Sequence, residues 1–277
     1  MMQPILIQGY QGSFHHLAAQ RWSGKKVQIQ ACASFRELVH QLENQKQFKY
    51  GIMAIENSIA GSILPNYGLL EKSKLQIVGE IYFPIKQNLL ALPGQTMKDI
   101  QEIHSHPMAL LQCEKFLEKY PDIKLVESAD TALSAQQISQ QKILGRAAIA
   151  PHLCSELFGL QVLAANIHTD KKNYTRFLVL QREGEFHVDP ESNKASLYFE
   201  AKHQVGSLAK ILTYLSSNKI NLSKLQSFPI LGHQWHYYFH ADLEFKDMKT
   251  FQKVFMGLSK RVQSVHLLGV YPQGHKS

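Results

Sequence analysis

Lys172–Leu180, KNYTRFLVL, reads as a core strand entered through two polar residues. Tyr174 and the run Phe177, Leu178, Val179 and Leu180 are β-formers, and four in a row suit a strand buried on both faces. Thr175 and Arg176 stand at its mouth. Successive side chains of a strand point to opposite faces, so this hydroxyl and this cation address different surroundings. The stretch also marks a change of rhythm: strands and helices alternate before it and follow another order after it.

Upstream, PILIQG is a short strand followed by a helix from about Ser13 to Trp22. VQIQACA is strand-like, and SFRELVHQLENQK is a helix with Ser34 as N-cap and Glu37 placed for a capping box. YGIMAIEN is a further strand, and IVGEIYFPIKQNLLALPG is extended chain ending at Pro93-Gly94. In HPMALLQCEKFLEKY, Ala109, Cys113, Phe116, Leu117 and Tyr120 recur at helical spacing. KLVES (strand), DTALSAQQIS (helix), RAAIA (strand) and a helix through Phe158 complete the series. Such alternation implies a sheet covered by helices on both faces. Downstream, QREGEFHVDPESN, with Gly184 and Pro190, breaks the pattern. ASLYFEA, VGSLAKILTYLSSN, INLSKLQSFPI, QWHYYFHADLEF, KDMKTFQKVFMGLSKRV and SVHLLGVYP then give β-α-β-β-α-β, a small ferredoxin-like α+β module of the kind attached for regulation.

The chain's 277 residues fit two units, one of them bilobed, and its 44% hydrophobic and 19% charged content is that of an ordinary globular protein. The opening MMQPILIQGYQG has neither a basic start nor a long apolar run, and no stretch nears about 18 apolar residues. Neither export nor membrane insertion is expected, and the expected location is the cytoplasm. Cys32, Cys113 and Cys154 are odd in number and widely spaced, as reduced buried thiols are. The net charge of +8 is scattered rather than gathered with stacking aromatics, so no nucleic-acid partner is expected and an anionic metabolite stays open.

Three segments share one grammar, in which a strand ends, small polar residues follow and a helix begins. They are GYQGSFHHLAA, AIENSIAGSI and HSHPMALLQC, the last capped by Ser105 or His106. Helix N-termini carry unpaired donors and partial positive charge, so their convergence would make an anion site, whereas singly each is a capped helix. Spacing does not say whether they meet. No Walker loop, dinucleotide-binding glycine pattern or nucleophile elbow is present. His15-His16 and His104/His106 lack a carboxylate at helical spacing, so neither a metal nor another cofactor is expected.

In order along the chain, GYQGSF, IENSIAG, SHPMALLQC, GLQVL and NYTRF resemble the motifs of the prephenate dehydratase family, and the likeness runs nearly the full length. The resemblance implies an α/β, periplasmic-binding-protein-like bilobed catalytic domain over residues 1–182, a linker over 183–193, and a C-terminal ACT domain over 194–277. It implies a carbon-oxygen lyase of phenylalanine biosynthesis that dehydrates and decarboxylates prephenate to phenylpyruvate, with feedback inhibition by phenylalanine. In the family the threonine matching Thr175 is essential. Thr175 is expected to donate a hydrogen bond or proton to the departing hydroxyl, and Arg176 either to bind a carboxylate or to brace the motif. Carried over residue by residue, Asn57, Ser105 and Gln112 are active-site polar residues, with Ser13 and Ser58 at the helix-start loops.

Tyr10, His15, Ala54, Gln87 and Met108 depart from the residues usual in the family. In the C-terminal module, Val205, Gly206, Ser207 and Leu208 resemble the family's effector loop. Asn221, Leu222, Gln226 and Ser227 resemble the facing strand, where Gln226 and Phe228 replace a charged pair. Family ACT domains bind an amino acid between chains, which implies a homodimer or homotetramer. No segment resembles chorismate mutase, so a single activity is expected. Two alternatives stay open: arogenate dehydratase, which a carboxylate placed to pair the substrate's ammonium would favour, and a non-catalytic ligand-binding regulatory protein.

Overall fold

The computed structural model describes residues 3–184, 189–230, 232 and 236–275. Gln234 and Trp235 of the expected strand, and Glu185, Phe186, His187 and Val188 of the expected linker, lie outside the described residues. Two compact units are present, one built from residues up to Ile63 with Ile81–Phe177, the other from Leu64–Glu80 with Leu178–His275.

In the first unit the chain runs β1 (Ile5–Gln8), α1 (Phe14–Ser23), β2 (Ile29–Cys32), α2 (Phe35–Asn44), β3 (Gly51–Asn57) and the short β4 (Gly61–Ser62). After α3 (Leu64–Lys72) and β5 (Leu75–Pro84), which up to Glu80 belong to the second unit, come β6 (Asn88–Ala91), β7 (Glu102–Ser105), α4 (Pro107–Gln112), α5 (Glu114–Leu117), β8 (Lys124–Glu127) and α6 (Thr131–Gln141). Next are β9 (Arg146–Ala150), α7 (Leu153–Phe158), β10 (Gln161–Ala164) and β11 (Tyr174–Arg182). One sheet has the order β2-β1-β3-β11-β5, the other β10-β6-β9-β7-β8. Alternate residues of the second sheet feed opposite cores: Leu89 and Ile149 join Ile103 and Cys113, while Leu90 and Ala148 join Ala132 and Cys154. Strands covered on both faces explain the unbroken apolar runs of the sequence. All three thiols are free and buried.

Local chemistry sets the helix boundaries. Ser13 caps α1 by accepting the His16 N–H, and Ser34 caps α2 by accepting that of Glu37. The expected capping box is displaced by one residue, since the Glu37 carboxylate takes the Ala33 N–H at 2.7 Å. The helix expected over HPMALLQCEKFLEKY is broken at Cys113, whose ψ of 11° ends α4 and starts α5. Ala109, Cys113 and Leu117 stay on the buried face across the break. Gly12 has φ 93°, and a Cβ there would lie 2.7 Å from Cys154 Sγ, so only glycine fits the turn into α1. Among the described residues no helix is long and apolar enough to cross a membrane.

The second unit contains β12 (Lys194–Glu200), α8 (Ser207–Ser217), β13 (Asn221–Pro229), β14 (Tyr237–Glu244), α9 (Met248–Ser259) and β15 (Ser264–Tyr271), in the sheet order β13-β14-β12-β15. Leu197, Ile211, Leu215, Leu243, Phe251 and Leu258 form its apolar core. Leu64–Glu80 also belongs to this unit: the Tyr67 ring meets His240 edge-on at 4.7 Å and Phe228 at 5.5 Å. A Cβ on Gly269 would come within 2.0 Å of the Ile77 carbonyl oxygen, so that approach of β15 to β5 depends on glycine. Beside it, the Lys194 ammonium donates to both oxygens of Glu80 at 3.0 and 3.1 Å, with both side chains essentially excluded from water. Glu80 Oε1 also accepts the Gly274 N–H.

A buried ion pair tolerates removal of both partners far better than removal of one. Lys194→Met is therefore expected to lower unfolding stability by about 3–5 kcal/mol. Adding Glu80→Leu should restore most of the loss in urea titrations, and an additive further loss would show that the pair is not the cause.

Candidate active site

The three helix-start loops do meet. A cavity of about 460 Å³ in the first unit is lined by Ser13, Phe14 and His15 from the first loop, Asn57 and Ala60 from the second, and His106, Met108, Ala109 and Gln112 from the third. The β11 residues Thr175 and Phe177 complete one wall, and Asp130 and Thr131 at the start of α6 add a fourth loop. A larger cavity of about 650 Å³ lies beside Phe14 but holds none of the motif polar residues, so it is not the chemical centre.

Asn57 organises the site. Its Nδ2 donates to Asn173 Oδ1 (2.7 Å), Thr175 Oγ1 (3.0 Å) and the Tyr174 carbonyl (3.2 Å), two amide hydrogens being shared among three acceptors. Its Oδ1 accepts the N–H groups of Ile59 and Ala60, closing its own turn. Ser58 adds a second clasp: its amide donates to Tyr174 O, and its hydroxyl accepts the Tyr174 N–H and donates to Lys172 O. Because Asn57 supplies the hydrogen to Thr175 Oγ1, the Thr175 hydroxyl keeps its own proton as a donor. Received and donated hydrogen bonds polarise one another, so the contact strengthens that donor.

The other expected residues divide. Ser13 is buried and lines the cavity, as does Gln112, whose Oε1 accepts from Gln87 Nε2 at 3.5 Å. Ser105 is fully buried, donates to the Ile149 carbonyl at 2.6 Å, and does not line the cavity. The α4 cap is His106, whose Nδ1 accepts the Met108 N–H. Ser58 and Arg176 are likewise absent from the lining, and Arg176 is buried on the other side of β11 from Thr175. Asp130 was not singled out by the sequence, although an aspartate before a helix run is a cap signal.

The expected effector residues lie in the second unit. Val205 is fully exposed, Gly206 is the left-handed N-cap of α8, and Ser207 donates its N–H to Gln204 O. Asn221, Leu222, Gln226 and Ser227 lie on β13, the edge of the sheet, with Leu208 and Leu222 against the same core. Phe228 is buried, stacked on Tyr238 at 5.1 Å, which accounts for an aromatic at that position.

Electrostatically the cavity is quiet. Among its described lining residues none is Lys or Arg, and Asp130 is the one carboxylate. His15 sits between the rings of Phe35 and Phe177, where burial depresses its pKa to about 3. Its Nε2 accepts the Ala54 N–H, so the neutral ring carries its hydrogen on Nδ1. The amides of Phe14 and His15, first in α1, have no carbonyl one turn upstream within the helix, leaving donors for a carboxylate. Among the described residues no cluster of three or more His, Cys, Asp or Glu could hold a metal ion.

Residues 5–185 match the family model for prephenate dehydratase. The bifunctional chorismate mutase/prephenate dehydratase of Buchnera aphidicola subsp. Schizaphis graminum is 32% identical over 268 residues, covering 95% of this chain and 69% of that protein. The structure of Arthrobacter aurescens prephenate dehydratase in complex with L-Phe superposes with a TM-score of 0.86 at 26% identity, covering 97% of this chain and 89% of that one. A structure described as GqqA, a novel type of quorum quenching acylase, superposes with a TM-score of 0.87 at 28% identity, covering 97% of each chain.

His15 fixes the sign of a pH effect. A histidine whose folded pKa lies below its unfolded value contributes stability that is whole above about 6.5 and is lost as pH falls toward about 3. Denaturant titrations from pH 7 to pH 4 should show stability falling with acid, with a shallower fall in His15→Phe. An identical slope in the variant would show that His15 protonates freely in the folded protein.

Proposed function

We propose that this chain, which belongs to the prephenate dehydratase family, is an active dehydratase that converts prephenate to phenylpyruvate. The observation that carries the reading is the Asn57–Thr175 pair set in a cavity fed by helix-start donors. Prephenate loses its ring carboxylate as CO2; the electron pair of that broken bond enters the ring, and the ring expels its hydroxyl, which leaves as water with one added proton. Aromatisation drives the reaction, so the protein supplies placement and a donor for a poor leaving group.

Thr175 hydrogen-bonds the departing oxygen while Asn57 steadies Thr175 Oγ1 from behind. The start of α1, with Ser13 as its cap, receives the retained ketoacid carboxylate through backbone amides, and Gln112 orients the ring. Neutral donors suit the departing carboxylate, because a cation there would stabilise the ground state and slow its loss. Arg176 braces the motif from the far face of β11, and Ser58 and Ser105 hold their loops through backbone carbonyls. An acylase-type reading has less support: Thr175 Oγ1 is hydrogen-bonded by the Asn57 side-chain amide, and no His or carboxylate hydrogen-bonds it among the described residues.

The catalytic domain is assigned to residues 1–182, the linker to 183–193 and an ACT domain to 194–277. The βαββαβ order and the exposed edge strand β13 support an ACT module that pairs into a homodimer or homotetramer and binds phenylalanine near Val205–Leu208 and Asn221–Ser227. The likeness to a phenylalanine-bound dehydratase supports phenylalanine as the effector.

Thr175→Ala is expected to lower kcat for phenylpyruvate formation at least about 100-fold with an unchanged melting temperature, and Thr175→Ser to recover part of it. Near-normal turnover in the alanine variant would remove Thr175 from the chemistry. Millimolar phenylalanine should slow the wild type and raise its melting temperature; no change in either would remove phenylalanine as the effector.

A further inference from the structure

Charge is sorted by sign around α5. Lys115 on that helix and Lys119 just beyond it line a cavity of about 320 Å³ together with Lys171, whereas Glu114 and Glu118 line a different cavity, beside Glu127. No carboxylate lines the first cavity, and none forms an ion pair with its three lysines among the described residues. Exposed lysines are ordinarily just solvated, so three of them do not by themselves make a site.

A buried side chain supplies the second observation. His168 lines the same cavity, is only 4% exposed, and accepts the Gln87 N–H on its Nδ1 at 3.3 Å. Burial, and then the ammonium groups of Lys171 and Lys86, hold its pKa below the ordinary value, with Asp170 acting in the opposite sense. The neutral ring therefore carries its hydrogen on Nε2, and that donor has no acceptor among the described residues. A buried donor left unpaired is a cost that a ligand oxygen relieves. Lys171 is held in place, its Nζ donating to the carbonyls of Asn166 and His168, which leaves one ammonium hydrogen over.

We propose that this cavity is an anion site that takes a phosphate group, with His168 Nε2, Lys171, Lys115 and Lys119 as its donors. Three point charges and one fixed N–H suit a compact tetrahedral dianion with several acceptor oxygens; a planar carboxylate is better matched by the guanidinium fork, and no arginine lines the cavity. The site is separate from the cavity that holds Thr175, and its assignment does not depend on the dehydratase reading. The two cavities nevertheless share a support. Besides the Gln87–His168 bond, Ile167 donates its N–H to the Gln87 carbonyl and Thr169 donates its N–H to the Gln112 carbonyl. An anion held by His168 and Lys171 thus steadies the segment from which Gln87 and Gln112 are positioned.

The test is calorimetric titration of the full chain with inorganic phosphate and with glycerol phosphate, at ionic strength held constant with sodium chloride. Wild type is compared with Lys115→Gln/Lys119→Gln, with His168→Asn, and with Lys26→Gln/Lys46→Gln, which removes two exposed charges that line neither cavity. Asparagine keeps an oxygen near the position of Nδ1 for the Gln87 N–H and removes the Nε2 donor. Wild type should bind saturably, the first double variant and His168→Asn should each bind at least about tenfold more weakly, and Lys26→Gln/Lys46→Gln should bind as wild type does. Tighter binding of glycerol phosphate would identify an esterified phosphate as the ligand, and tighter binding of inorganic phosphate the free ion. No saturable binding to the wild type would overturn the inference. So would an unchanged affinity in Lys115→Gln/Lys119→Gln, or an equal loss in Lys26→Gln/Lys46→Gln, which would mark a diffuse attraction to net positive charge.

Discussion

One side-chain amide fixes the geometry on which the site depends. Asn57 ends β3, and its partners Asn173, Tyr174 and Thr175 open β11, 116 to 118 residues further along the chain. Its carbonyl oxygen is spent on its own turn and its two hydrogens on the far strand, so Asn57 is tied on both sides. An apolar replacement would strand several buried donors and acceptors at once, each costing about 1–3 kcal/mol. A shorter polar residue could not span both. Thr175 thereby acquires a fixed position and a hydroxyl proton directed by elimination rather than by a base.

The rest of the cavity follows from keeping charge out. His15 is neutral between two phenyl rings, no Lys or Arg lines the wall, and the donors come from the backbone at a helix start. Fixed dipoles of this sort are not reoriented when the substrate changes charge, which is what a reaction that expels CO2 and hydroxide asks of its surroundings. The single carboxylate, Asp130, stands out against that neutral background.

Much of the architecture was legible because the elements are short and locally consistent. Unbroken apolar runs announced strands covered on both faces, Ser13 and Ser34 announced helix starts, and the change after Gln181 announced a different module. The break at Cys113 was not legible: residues on both sides keep the same buried face, so the apolar period runs through a discontinuity of the backbone. Nor was the meeting of the helix-start loops, which depends on the order of two sheets rather than on spacing. Ser105 looked like a site residue from its motif, yet its hydroxyl is taken by the Ile149 carbonyl, a partner 44 residues away that no local pattern could indicate. The placement of Leu64–Glu80 with the later unit was hidden for the same reason.

That placement governs the order in which the chain becomes foldable. Lys194, the partner of Glu80, lies 114 residues after it. At a synthesis rate of roughly 5–20 residues per second, the ribosome takes on the order of ten seconds to deliver one after the other. Throughout that interval the Tyr67 ring lacks the aromatic bed of Phe228 and His240, and the Glu80 carboxylate must stay hydrated. The nascent chain is thus obliged to carry an unfinished helix and half-strand past the completion of everything between them, and the second unit closes only as its last strand emerges.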